Sequence, residues 1–187
     1  MTEELLVRLA APTLAGIKTG SLFACPYTDR QAILCEVRAL NRVLTPKGLC
    51  LLPIRFLSKR VLLYLYRPAK LQHDLQNDLA CDILRQAGYC HAGCCGGCGK
   101  SIACLVRRVR ENAEFPHEIG LFLGYPPEDV QGFIQHNAED FKYAGLWKVY
   151  GDEEYARRLF AKFKKCTQIY CSLWQTGLDI GKLAVNV

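Results

Sequence analysis

A group of five cysteines in residues 90–104 is the part of the chain that most directly suggests chemistry. Cys95 and Cys98 form a Cys-x-x-Cys pair, whose thiolates can reach one metal ion from a tight turn. Glycines between the cysteines let the backbone fold around zinc or an iron–sulfur cluster, and the spacing does not choose between the two. The candidate metal ligands are Cys90, Cys94, Cys95, Cys98 and Cys104.

Two alternatives to a metal site stay open for this loop. A redox dithiol fits because a helix N-terminus and the nearby Lys100 would both stabilise a thiolate. The other alternative is a glycine-rich loop, inserted into the fold, whose cysteines have no specific role.

The segment 115–130, FPHEIGLFLGYPPEDV, places a histidine and a carboxylate beside a proline. His117 can serve as a general acid–base or as a metal ligand, and with Glu118 it forms the candidate catalytic pair. Neighbours on a helix project about 100° apart, however, so these two side chains would not face the same point. The structural alternative is that Pro116 and Pro127 begin two short helices whose acidic side chains stabilise the positive N-terminal ends.

The charges of the chain are segregated along its length. The net charge is +6, yet residues 37–70 contain no acid, and acids dominate residues 111–154. Such a chain can pair its own charged faces, or it can present the basic face to a small anionic ligand. The basic residues alternate with core positions and no nucleic-acid-binding motif accompanies them, which argues against a nucleic-acid partner.

Hydrophobic periodicity predicts an α+β fold, in which a small, mainly antiparallel sheet is covered by helices. The strand 60–67 is apolar on both faces and should be central, while Pro53 places the strand 49–57 at an edge or a bulge. We expect both to share one sheet with the strand 146–150, against which the helix 153–174 packs. Further strands are predicted at 21–24 and 183–187. The other predicted helices are 3–11, a helix that begins at the capping box of Thr28 and Gln31, 70–87, 102–114, 118–124 and 127–136, with a strand 119–123 as the alternative to the helix 118–124.

The size and composition of the chain suit one domain, residues 1–187, because half of its residues are apolar and no linker separates two halves. Its N-terminus lacks the features of a signal peptide, and its apolar runs are too short to span a membrane. An odd count of 11 cysteines without a signal peptide argues for reduced thiols and a cytoplasmic protein. We expect the six cysteines outside the loop to be small buried apolar residues.

Four segments carry a resemblance to a known family: 11–23 (APTLAGIKTGSLF), 65–71 (LYRPAKL), 115–130 and 145–152 (GLWKVYGD). With these, the chain resembles the domain of unknown function 3793 family, an uncharacterised bacterial family of anaerobic Firmicutes. The resemblance implies no activity, and the loop 90–104 departs from the family pattern. The family's recurrent positions correspond here to Lys18, Tyr66, Arg67, His117, Glu118, Gly124, Tyr125, Asp129, Lys148 and Tyr150.

Three functions are compatible with these patterns. The first is a metal- or iron–sulfur-binding redox accessory protein, with a redox protein as partner, that acts through the loop 90–104. The second is a binding protein for a small anionic or cofactor-like ligand, with His117 beside a cleft formed by Lys18, Arg67, Tyr125 and Lys148. The third is an enzyme that uses His117 and Glu118 as an acid–base pair.

Overall fold

The secondary structure combines helices with two small antiparallel sheets, as the α+β prediction requires. A computed structural model describes residues 2–89, 97–112 and 114–186. The strands are β1 (Gly20–Pro26), β2 (Cys50–Phe56), β3 (Arg60–Tyr66), β4 (Tyr143–Ala144) and β5 (Lys148–Val149). The α-helices are α1 (Thr2–Leu14), α2 (Arg30–Leu44), α3 (Pro68–Asp74), α4 (Asp78–Gln86), α5 (Gly97–Glu111), α6 (Ile119–Phe122), α7 (Pro127–Gln135), α8 (Glu153–Gln175) and α9 (Ile180–Leu183).

The described residues group into two compact units. Unit 1 contains the residues up to Ala69 together with those from Phe163 onwards, and unit 2 contains Lys70–Lys162. The prediction of one domain stays a prediction, and each unit is described by itself. None of the helices formed by the described residues is long and apolar enough to cross a membrane.

The sheet of unit 1 is antiparallel, in the order β1-β3-β2. The central position of β3 confirms the prediction from its apolar faces, since four consecutive side chains at its C-terminal end are buried. The prediction for Pro53 is also confirmed, because β2 is an edge strand and its register with β3 shifts between Pro53 and Arg55. Proline has no backbone N–H to donate to a neighbouring strand, which explains both features.

Helices cover this sheet and complete the hydrophobic core of unit 1. The core includes Leu6 of α1, Ile33 of α2, Tyr170 of α8 and Leu183 of α9. The N-cap of α2 is Asp29, one residue after the predicted cap Thr28. Its carboxylate accepts hydrogen bonds from the backbone N–H groups of Gln31 and Ala32. This is the usual way in which an N-cap side chain satisfies the unpaired donors of a first turn.

Two predicted elements of the chain are wrong. The predicted helix 70–87 is two helices, α3 and α4, because the Asn77 side chain accepts a hydrogen bond from Ala80 N and starts a new helix. The predicted strand 183–187 is not formed by the residues described there. Helix α9 occupies its start, and it is capped by the Asp179 carboxylate, which accepts from Lys182 N.

The strand predicted at 146–150 does not join the sheet of unit 1. Its central residues form β5, which pairs only with β4, in the register Tyr143↔Val149 and Ala144↔Lys148. The prediction of one common sheet is therefore wrong for the described residues. The physical reason is that Asp129 of α7 holds both ends of β5. Its carboxylate accepts hydrogen bonds from the indole N–H of Trp147 and from the backbone N–H of Tyr150.

Candidate functional site

A cavity of about 430 Å³ lies in unit 2, and we call it the aromatic cavity. It is lined by the segment before α6, by the start of α6, by Tyr125 in the turn after it, by α7 and by the hairpin of β4 and β5. Its volume is within the range of about 300–1,000 Å³ that is typical of small-molecule sites. The side chains that bear on its chemistry are Phe115, His117, Tyr125, Asp129, Trp147 and Lys148.

Stacked rings form one wall of the aromatic cavity. The Tyr125 and Trp147 rings are stacked with centroids 4.4 Å apart, and Phe160 meets Trp147 edge to face, also at 4.4 Å. Gly145 makes this packing possible, since a β-carbon at that position would overlap the Phe160 ring. Aromatic pairs at these separations stabilise one another beyond the area that they bury, so the wall should be stiff.

Asp129 fixes the hairpin against α7. The residue is 3% exposed, and its Oδ2 accepts a hydrogen bond of 2.7 Å from Trp147 Nε1. Its Oδ1 accepts two bonds of 2.8 Å from the backbone N–H groups of Tyr150 and Gly151. The predicted role of Asp129, favourable charge in the first turn of a helix, is therefore incomplete. The sequence signal that could have found the rest is only its place among the family's recurrent positions.

Lys148 lies on the lining of the cavity and holds the loop between α7 and β4. Its Nζ donates a hydrogen bond of 2.5 Å to the carbonyl oxygen of Ala138, and it lies 4.7 Å from the centroid of the Phe141 ring. Asn137, Ala138 and Asp140 have left-handed backbone conformations, with φ of 49°, 65° and 56°. Such values are uncommon for residues other than glycine, and for alanine in particular they indicate strain.

His117 and Tyr125 also face the aromatic cavity. The exposed His117 ring meets the Phe133 ring edge to face at a centroid distance of 5.2 Å. Burial of Tyr125 raises the pKa of its hydroxyl above the ordinary value. His117, Tyr125 and Lys148, which were candidates from the sequence, thus line one cavity of unit 2.

Glu118 has a different environment from its neighbour. It is 4% exposed, and its Oε1 accepts hydrogen bonds from Arg108 Nε at 2.7 Å and from the Tyr89 hydroxyl at 3.1 Å. Burial, followed by the Glu118 charge, raises the pKa of Tyr89. The carboxylate is therefore committed to a buried ion pair, and it is not among the residues that line the aromatic cavity.

Arg67 and Lys18 belong to unit 1, so the aromatic cavity is described without them. Arg67 is 3% exposed, and its guanidinium donates hydrogen bonds to four backbone carbonyl oxygens, those of Thr13, Leu14, Lys47 and Val185. Burial lowers the pKa of Arg67. Two of these carbonyls, those of Thr13 and Leu14, lie at the end of α1, where they also accept from the backbone N–H groups of Gly16 and Val185. Arg67 therefore adds to the capping of this helix end.

Lys18 follows α1 and lies beside α8. Its ammonium is 6.0 Å from the centroid of the Phe163 ring. Burial lowers the pKa of Lys18 to about 8, because the charged form is less well solvated there.

The proposed metal ligands fall largely outside the described residues. Cys90, Cys94 and Cys95 are in the segment 90–96, whereas Cys98 and Cys104 lie on α5. Within the described ranges, no group of three or more histidine, cysteine, aspartate or glutamate side chains could hold a metal ion. A metal or redox role for the loop stays a prediction.

The prediction that the other six cysteines are buried holds in part. Cys25 and Cys81 are buried, whereas Cys50, Cys166 and Cys171 are half-buried. Cys35 is exposed, so the prediction is wrong for that residue.

Comparison with known proteins assigns the chain to a family. Residues 6–184 match the family described as Protein of unknown function (DUF3793), which covers nearly the whole chain. Searches of curated proteins and of solved structures gave no match. The family match agrees with the resemblance seen in the sequence motifs, and the chain belongs to the DUF3793 family.

Proposed function

We propose that this protein binds a small organic ligand in the aromatic cavity. The observation that carries the proposal is a cavity of about 430 Å³ with stacked aromatic side chains in its wall and polar side chains, among them His117 and Lys148, on its lining. Small-molecule sites are typically concave and apolar, with a few polar groups that fix the orientation of the ligand.

The aromatic wall favours a ligand with a flat apolar body. Trp147, Tyr125 and Phe133 all line the cavity, and contact with such rings removes apolar ligand surface from water. Each Å² of apolar surface buried contributes roughly 25 cal/mol. Because ring stacking and the Asp129 hydrogen bonds hold the wall in place, little ordering free energy should be lost on binding.

The positions of His117 and Glu118 favour a binding function over one in which these two residues act as an acid–base pair. The Glu118 carboxylate is engaged by Arg108 and Tyr89, while His117 faces the cavity. The two side chains therefore do not converge on one ligand atom, as an acid–base pair acting together would need to do.

The proposal is tested by NMR with 2-naphthoate as the probe. The chain has two tryptophans, so the indole N–H signal of Trp147 can be assigned with the variant Trp174→Phe. Addition of 2-naphthoate should shift the Trp147 signal in a saturable way and leave that of Trp174 in place.

A cavity-filling variant and a matched control complete the test. Ala144 lines the cavity and is exposed, so Ala144→Phe should fill it and weaken binding at least tenfold. Ala161 is an exposed alanine of α8 that does not line the cavity, and Ala161→Phe should bind like the wild type. Equal binding by the two variants would contradict the proposal. So would the absence of a Trp147 shift in the wild type with 2-naphthoate and with its neutral and cationic analogues.

A further inference from the structure

We infer that the ligand of the aromatic cavity is an anion, and that Lys148 selects it by its charge. This inference rests on the proposed function and adds to it the chemical class of the ligand and a specificity-determining residue. It follows from how the charged side chains on the lining are already engaged.

Asp129 is poorly suited to attract a cationic ligand. Both of its oxygens accept hydrogen bonds, two at Oδ1 from backbone N–H groups and one at Oδ2 from the indole of Trp147. It also lies in the first turn of α7, where the helix dipole favours a negative charge. Three donors and the helix end therefore compensate the carboxylate from within the protein.

Lys148 retains more capacity to bind a ligand. An ammonium carries three N–H donors, and the hydrogen bond that Lys148 forms within the described residues goes to the neutral carbonyl of Ala138. A charge-assisted hydrogen bond to a carboxylate is roughly twice as strong as a bond between neutral groups. A ligand anion can therefore bind Lys148 beside the Ala138 carbonyl or in its place, and the stronger hydrogen bond makes the free energy of binding more favourable.

The surroundings of Lys148 make its charge effective and selective. The side chain is half-buried, and the Phe141 ring lies against it, so the ammonium is less screened than one in open solvent. The segment 111–154 contains ten acidic residues, which oppose binding of an anion, so the attraction must come from its two lysines, Lys148 and Lys142. Lys142 donates instead to the carbonyl of Gly151, which leaves Lys148 as the lysine that lines the cavity.

Three probes with the same aromatic body test the inference: 2-naphthoate, neutral 2-naphthamide and cationic 2-naphthylmethylammonium. In the wild type we expect 2-naphthoate to bind at least about tenfold more tightly than 2-naphthamide, with the ammonium weakest. The variant Lys148→Met should bind the first two equally, whereas Lys148→Arg should retain the preference. Lys142→Met is the matched control, and it should retain the wild-type order.

Each outcome is informative about one of the two proposals. Equal affinity for the three probes, tighter binding of the ammonium, or an unchanged preference in Lys148→Met would overturn the anion inference and leave the binding site intact. No shift of Trp147 with any probe would overturn the proposed function itself. Unchanged affinity of Lys148→Met for 2-naphthamide shows that the cavity is intact; should that variant fail to fold, the wild-type order of the probes decides alone.

Discussion

The indole N–H of Trp147 donates to the Asp129 carboxylate over 2.7 Å, although the two residues lie 18 positions apart. The same carboxylate accepts from the backbone of Tyr150 and Gly151, so one side chain of α7 fixes both ends of β5. β4 and β5 are only two residues long, and a hairpin this short has little stability of its own. The position of the cavity wall therefore depends on Asp129.

The first prediction concerns the variant Asp129→Asn. An amide NH₂ must replace one carboxylate oxygen and would then face an N–H donor, which leaves buried donors unsatisfied. We expect a loss of about 2 kcal/mol in the free energy of unfolding, measured with urea. The exposed Asp152 accepts one hydrogen bond, from Tyr155 N, and Asp152→Asn should lose less than about 0.5 kcal/mol, since both residue types cap helices well. Equal losses would disprove the bracing role of Asp129.

The second prediction separates His117 from its neighbour Glu118. His117→Ala should weaken binding of 2-naphthoate several-fold at nearly unchanged stability, because the ring is exposed on the cavity lining. Glu118→Gln should leave binding unchanged and lower the free energy of unfolding by about 2 kcal/mol, because it breaks a largely buried ion pair with Arg108. The measurements are calorimetric titration and urea unfolding. The reverse pattern would favour a direct role for Glu118.

The third prediction concerns Arg67. Arg67→Met removes a donor from four backbone carbonyls, of which those of Thr13 and Leu14 keep a backbone N–H donor. Arg67→Lys cannot reach the four carbonyls with a planar fork of N–H groups. Both variants should lower the free energy of unfolding of unit 1, by about 3 kcal/mol for Met and somewhat less for Lys. Arg38 is exposed on α2, and Arg38→Lys should be neutral in the same urea experiment. A neutral Arg67→Lys would show that charge alone suffices there.

The fourth prediction is a dependence of stability on pH that comes from Lys18. Burial lowers its pKa in the folded protein from 10.5 to about 8. Below pH 8 the group is charged in both states, and its burial opposes folding in full. Between pH 8 and 10.5 the folded protein loses this proton while the unfolded chain keeps it, so stability rises with pH.

The measurement for Lys18 is the difference in free energy of unfolding between the wild type and Lys18→Met. That difference should favour the variant by about 1–3 kcal/mol at pH 7 and should shrink towards pH 10.5. Tyr170 and Cys25, whose pKa values burial raises, titrate alike in both proteins, so the difference isolates Lys18. A difference that does not change with pH would contradict the lowered pKa.

The fifth prediction concerns the cysteine loop. If the loop holds zinc or an iron–sulfur cluster, protein purified without oxygen should contain bound metal, and an iron–sulfur cluster would add visible absorption. The double variant of Cys95 and Cys98 to serine should then lose the metal. Cys35→Ser, which alters an exposed cysteine of α2, should keep it. Colourless, metal-free wild-type protein would leave the glycine-rich loop without a metal role.

The pattern of apolar residues is enough to predict much of the fold. The two apolar faces of β3 predict its central place, and the missing N–H of Pro53 predicts an edge with a bulge. Periodicity fails where one side chain interrupts it. Leu71, Leu75, Leu79 and Ile83 keep a helical spacing across the break between α3 and α4, and it is the Asn77 cap that divides them.

The site is harder to predict because its contacts join distant parts of the chain. His117, Tyr125 and Lys148 stand out as polar residues within apolar motifs, and they line one cavity. Asp129 looks like an ordinary residue of a helix N-terminus, since two of its three donors are backbone N–H groups, which every residue except proline carries. Nothing in the local sequence distinguishes such donors.

Arg67 links segments that leave the ribosome at very different times. Its guanidinium binds the end of α1 and also the carbonyl of Val185, which is synthesised 118 residues after Arg67 itself. Unit 2 is contiguous and lies between them in the chain, so it can fold during synthesis while unit 1 is still incomplete. Until Ile180 and Leu183 emerge, the apolar faces of α1 and the first three strands lack part of their core. A chaperone that binds apolar segments would therefore be expected to contact the N-terminal part of unit 1 during synthesis.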